Sequence, residues 1–235
     1  MSTRARVQTG PQVGGIPGLI HTMLVFVGET VALAAQAIGL IVRGKVSARS
    51  TLAQMAAIGA DGVPIVLITT LSTGAVFTFY TAPLFVRFGG SQFVGGTMVL
   101  AFTLELAPLL AGIAIAARSG AAIAAEIGSM VVTEQVDALR AMAVSPIRFL
   151  VGPRVLACVL MMPIVGMFAD TGGILGSCIT SMINGVTPHA FVDSARAYAT
   201  EKDLMKGLIK TAWFGLTIAT VACHQGMKTR GGATG

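Results

Sequence analysis

The stretch VPIVLITTLSTGAVFTFYTAPLFV, residues 63–86, carries no charged side chain, and its reading decides the fold. A membrane-crossing helix needs about 20 mostly apolar residues, because in hydrocarbon each backbone polar group must find its partner inside the segment. This stretch is long enough. Working outward, three further segments qualify: about Phe93 to Ala117, Val151 to Ile183 and Gly207 to Cys223. Composition agrees, with 54% hydrophobic and only 11% charged residues in a chain of 235, and a mean hydropathy of +0.81. A soluble domain carries about 25% charged residues. Half that leaves too little polar surface to face water, so the fold class is all-α, a polytopic membrane protein.

The net charge is +6. No basic cluster interleaved with aromatics is present, so the pattern excludes a nucleic-acid partner. Lys and Arg in membrane proteins collect in cytoplasmic loops and set orientation. On that rule Arg118, Arg140, Arg148 and Arg154 lie on the cytoplasmic side, as do Lys228 and Arg230. The loop near Arg87 is then external. So is the stretch with Asp193, Arg196, Glu201, Lys202, Asp203 and Lys206, where the signs cancel.

The apolar stretch from Leu19 to Val42 differs in kind. His21, Glu29, Gln36 and Arg43 recur at intervals of seven or eight, which puts them on one side of a helix. A polar stripe of that sort suits a helix lying in the membrane interface. Arg4 and Arg6 precede it, and Arg43, Lys45 and Arg49 follow it, so both ends read as cytoplasmic. The competing reading is a true span with one buried Glu. The domain plan is therefore a polar segment over 1–18, an interfacial helix over 19–42, and a transmembrane domain over 43–235. No short apolar run with a cleavage site follows the N-terminus, which gives no sign of a removable signal peptide.

The spans are rich in small residues. Residues 111–125 are almost all small or Ile, and Gly172 and Gly176 form a Gly-x-x-x-Gly pair. Small residues let helix backbones approach where lipid gives no hydrophobic drive; packing within one chain and contact between two copies both fit. Pro64, Pro83, Pro108, Pro153 and Pro163 start or kink helices. Two acids fall at membrane depth, where an ionisable group faces a cavity, a partner or water. Glu105 either binds a polar headgroup or gate partner, or caps carbonyls freed by Pro108. Asp170, ahead of Thr171-Gly172-Gly173, reads as a site of helix distortion.

Between the second and third spans, residues 118–139 read as a cytoplasmic loop that holds a short helix, about 133–142. Thr133 is placed to cap it, with Glu134 and Asp137 near its positive end. Val136, Leu139 and Ala143 share one face, while Glu134, Gln135 and Asp137 point elsewhere. Pro146 and Pro153 isolate the helix from the next span. Such an element is either a solvated loop helix or a surface that receives force from a motor.

Cys158, Cys178 and Cys223 lie singly in apolar stretches, and His21, His189 and His224 are far apart. No metal-ligand spacing, catalytic constellation or Walker A motif is present. The expectation is a non-enzyme with no cofactor of its own; any ATP used would have to be bound by a separate subunit.

The loop resembles the signature of the MlaE/YrbE permease family, the membrane subunits of Mce-type ABC lipid transporters. The matching residues are Ser119-Gly120-Ala121, Ala125 to Met130, Thr133-Glu134-Gln135 and Asp137-Ala138-Leu139. Pro146-Ile147-Arg148, Pro153 to Ala157, Glu105-Leu106-Ala107-Pro108 and Leu208-Ile209-Lys210 extend the match. The resemblance runs from about residue 20 to the C-terminus. It implies a homodimer or a paralogue heterodimer, an interfacial N-terminal helix, and a cytoplasmic helix that couples to an ABC ATPase. The coupling residues would be Thr133, Glu134, Gln135, Val136, Asp137 and Leu139. It further implies phospholipid or related lipids as cargo, an MCE-domain lipid-binding protein on the far side, and the bacterial cytoplasmic (inner) membrane. Glu105 would lie at the lipid cavity, with Tyr80 and Phe77 as cavity walls. Family chains continue past the turn at Gly231 to Gly235 into a last span, so four spans are found where about five are expected. The rival readings are an ABC permease for a small soluble solute and a non-transporting membrane scaffold. A solute carrier would show more polar residues at midplane or two related halves, and no internal repeat is found.

Overall fold

The computed structural model describes residues 16–44 and 46–229. Arg4, Arg6, Lys45, Arg230 and the turn at 231–235 lie outside the described residues. Seven helical elements follow in chain order among them: α1 (Ile16–Val42), α2 (Ala48–Arg87), α3 (Ser91–Val132), α4 (Gln135–Ala141), α5 (Ile147–Ile183), α6 (Pro188–Tyr198) and α7 (Glu201–Met227). No strand occurs among the described residues. The all-α polytopic expectation holds.

By length and composition, α2, α3 and α5 can each cross a membrane, and so can Gly18–Val42 of α1. The fourth expected span falls in α7, whose first turns carry Glu201, Lys202, Asp203 and Lys206. α7 runs antiparallel along α5: Gly166 meets Thr211, and Gly215 lies on the Cys158 carbonyl.

Two boundaries differ from the sequence reading. The span expected from Val63 begins at Ala48, giving a 40-residue helix about 60 Å long, twice the hydrocarbon thickness. The loop expected from Arg118 is helical to Val132, because nothing between Ala116 and Val132 breaks a helix. Both extensions keep one buried face, Thr51 and Ile58 on α2 and Ile123 and Ile127 on α3. An ion pair joins them, Arg118 to Asp61 at 3.2 Å. Both helices are thus longer than a crossing needs, with the surplus at the end that carries α4. The other end carries α6.

The seam between α2 and α5 is the main contact of the fold. A Cβ at Gly176 would strike the Leu71 carbonyl, and one at Gly74 the Gly173 carbonyl. The Ser177 hydroxyl donates to the Gly74 carbonyl at 3.3 Å. Gly172 and Gly176 therefore pack helices inside one chain. Facing it, Phe102 of α3 fills the space over Gly173. α6 seats on α3 in the same way: Phe191 lies on Gly95, and the Ser194 hydroxyl accepts from the Gly96 N–H at 2.9 Å.

α1 is held differently. Only Leu33 and Ala37 are buried among its described apolar side chains, while Leu19, Ile20, Met23, Leu24 and Val27 are more than half exposed. Leu33 and Ala37 join the core, and a polar cluster adds to them: Glu29 accepts from Lys228 and pairs with His224 at 3.1 Å, and Phe26 meets the His224 ring edge-on. Beneath it, Ile38 and Ile41 border an apolar groove of about 340 Å³ that continues past Val159 and Trp213.

Candidate functional site

One turn of α3 brings Glu105 together with Lys210 of α7. Residues Phe102–Leu106 form a π-turn, which admits an extra residue. Pro108 lacks an N–H and cannot serve the Leu104 carbonyl four residues back. Lys210 of α7 donates to that carbonyl at 2.7 Å and to Glu105 Oε1 at 2.6 Å. Gly207, packed on the Thr103 carbonyl, is what brings α7 close enough. The carbonyl freed by Pro108 is thus capped by Lys210, and Glu105 holds the cap. The pair stays open, with the Glu105 side chain 74% and the Lys210 side chain 41% exposed. A charged pair at span depth is not left against hydrocarbon, so this face borders a cavity, a partner or a polar ligand.

Asp170 sits behind the same turn. The α5 helix passes through it unbroken, so the distortion expected there is absent and lies on α3 instead. Asp170 is 8% exposed and takes a hydrogen bond from Thr103, while its Oδ1 has no partner among the described residues. Tyr80 and Phe77 are exposed on α2. Tyr80 makes an edge-on ring contact with Phe79, and Glu105 is engaged by Lys210.

The second group of expected residues lies at the α4 end. Thr133 does not cap α4: its hydroxyl bonds back to the Ser129 carbonyl at 2.8 Å and so closes α3. Glu134 occupies the cap position in the left-handed region (φ 58°) with no capping side-chain bond. Ala143, just past the other end, has the same φ of 58°. α4 is therefore set off by two sharp reversals, a geometry that periodicity does not register. Val136, expected to face outward, is buried on its own chain with Met130 and Leu150 beside it. Leu139 is half-buried in that cleft, and the expected partner-facing apolar stripe instead anchors the helix. The free face holds Glu134, Gln135, Asp137, Ala138, Arg140 and Ala141, with Asp137 and Arg140 paired at 2.8 Å.

Two clusters escaped sequence reasoning. Arg154, 5% exposed, pairs with Glu126 at 2.7 Å and donates to the Leu150 carbonyl, tying the start of α5 to α3. The Glu29–His224–Lys228 cluster ties α1 to the end of α7. Each joins residues far apart in the chain, and no local pattern marks them. A lone Lys in an apolar span was the available signal for Lys210.

Long helices packed through glycine, an open ion pair at span depth and a small helix set off at one end define a polytopic α-helical membrane protein. The permease MlaE family matches residues 51–235. The chain belongs to that family. It is 41% identical over 196 residues to a probable ABC transporter permease protein of Synechocystis, covering 83% of this chain and 74% of the relative. The chloroplastic protein trigalactosyldiacylglycerol 1 of Arabidopsis thaliana is 35% identical over 204 residues, 86% of this chain and 58% of the relative. A probable ABC transporter permease protein of Rickettsia felis is 36% identical over 200 residues, with 85% and 77% covered.

Proposed function

We propose that this permease is the membrane subunit of an ABC transporter that moves phospholipid or a related lipid. The observation that carries the reading is the open Glu105–Lys210 pair set in an apolar wall. An amphiphile needs both surfaces at once, a charged spot for its headgroup and hydrocarbon for its chains. Lys210 suits a phosphate and Glu105 an ammonium or hydroxyl, each through a charge-assisted hydrogen bond. The Arabidopsis relative carries the name of a galactose-bearing diacylglycerol, which fits a lipid cargo.

The partners follow from the two ends. The free face of α4 is the docking surface for an ABC ATPase, which binds the ATP. The end with α6 meets an MCE-domain lipid-binding protein. Two copies, or this chain and a paralogue, enclose the lipid cavity, whose walls include Tyr80 and Phe77. The membrane is the bacterial cytoplasmic membrane, and α1 lies in its interface.

The test is reconstitution of the permease with its ATPase in vesicles that contain a headgroup-labelled phospholipid. ATP-dependent movement of the label is expected, lost in the double variant Glu105→Gln/Lys210→Met. Movement that persists in that variant would show that the lipid does not pass this pair.

A further inference from the structure

We propose that the Arg118–Asp61 ion pair is a releasable latch between α2 and α3, opened when the ATPase at α4 binds ATP. The two helices come together where a Cβ at Gly62 would strike the Ile115 side chain. The pair stands just beyond that point, at 3.2 Å. On its α4 side lies a cleft of about 160 Å³, whose lining includes Gln54, Ala57, Asp61, Arg118, Ser119 and Ala122. The pair thus sits at the neck of a wedge between the two helices.

Two observations mark it as a moving part. Arg118 is the central residue of a second π-turn, Ala116–Gly120. The first π-turn has Pro108 close behind it, whereas no proline follows the second before Pro146. A π-turn that no proline fixes can migrate along its helix, and it then re-aims only the residues that it passes. Arg118 can therefore leave Asp61 while Ile115 and Glu126, on either side, keep their places. The second observation is exposure. The Arg118 and Asp61 side chains are 47% and 58% exposed, so water takes up both charges when they part. Glu126–Arg154 does not open in that way, because Arg154 is 5% exposed and would be left as a buried charge. One ion pair of α3 is thus permanent and the other reversible. α3 runs directly into the reversal at Glu134 and so into α4, and a load on α4 reaches the π-turn along a single helix. The proposal rests on the docking of an ATPase at α4 given above.

The experiment places spin labels at Ala57 and Ala122, exposed on the α2 and α3 walls of the cleft, in a variant lacking Cys158, Cys178 and Cys223. Distances are measured in the permease–ATPase complex, without nucleotide and with ATP trapped by vanadate. Trapping should lengthen the mean distance by at least about 2 Å. Asp61→Asn should raise the nucleotide-free population at the longer distance about two- to fivefold, the ratio that an exposed ion pair supports. The exchanged pair Asp61→Arg/Arg118→Asp should return it to the wild-type value. A pair that only stabilised the fold would change the unfolding temperature and move neither population. An unchanged distance on trapping, or an Asp61→Asn distribution like that of the wild type, overturns the latch. Ala141→Trp on the free face of α4 should abolish the response to ATP. A response that survives there would move ATPase docking off α4 and leave the latch standing.

Discussion

Lys210 serves two acceptors at once, the Leu104 carbonyl and the Glu105 carboxylate. The two bonds make different demands. The carbonyl needs a donor because Pro108 cannot supply one, whereas Glu105 is 74% exposed and can be reached by water or ligand. Lys210→Met should therefore destabilise the protein by about 1–3 kcal/mol, since it leaves an acceptor and a charge unserved. Glu105→Gln keeps an oxygen for Lys210 and should cost less than about 1 kcal/mol. Thermal unfolding in detergent separates the two, and equal shifts would remove the capping role of Lys210. Glu105 could be picked out from the sequence as an acid in an apolar run. Its partner could not, because the two stand 105 positions apart and Gly207 brings them together. For Asp170 the sequence located a buried acid but put the distortion on the wrong helix. Its neighbouring glycines serve the α2 seam, and the π-turn across from it arises on α3.

At the scale of elements, periodicity and breakers did most of the work, and they failed where helices leave lipid. Residues 48–62 and 118–132 look like loop because their charges end the apolar run. Yet they contain no strong breaker and keep a buried face, so the helix continues. The short helix was found, but its direction was reversed. Val136 and Leu139 anchor α4 to the chain, and the two left-handed residues at its ends expose the opposite face. Opposite outcomes follow for substitutions on the two faces. Val136→Asp would bury an unpaired charge at a cost of several kcal/mol and should lower the yield of folded protein. Ala141→Trp stands on the free face and should leave thermal stability unchanged. It should still weaken ATPase co-purification by at least about tenfold, because a bulky group there clashes with a docked partner. Normal ATPase recovery with Ala141→Trp would refute docking on this face.

For the molecule as a whole, the open matter is the course of α1, since both a crossing and an interfacial helix suit its composition. α5 and α7 are antiparallel and joined through α6, so the start of α5 and the end of α7 share one end of the bundle. Glu29 binds Lys228 and His224 at the end of α7, and Arg43 shares a cleft with Ser145 and Ile147 at the start of α5. Those contacts lie 14 positions apart on α1, about 21 Å along its axis, yet both are on the same end. A helix that crossed between Glu29 and Arg43 would have to leave that end. The stripe of Glu29, Gln36 and Arg43 faces these groups, and the exposed Leu19, Met23, Leu24 and Val27 are left for lipid. We expect α1 to run along the membrane surface with both ends on the α4 side. The check uses a variant lacking Cys158, Cys178 and Cys223, with single cysteines at Gly18, Ser47 or Asp193, in right-side-out vesicles. An impermeant maleimide should label the Asp193 position on α6 and spare the other two. Labelling of the Gly18 position together with that of Asp193 would mean that α1 crosses, and Glu29 would then be a buried acid of a fifth span.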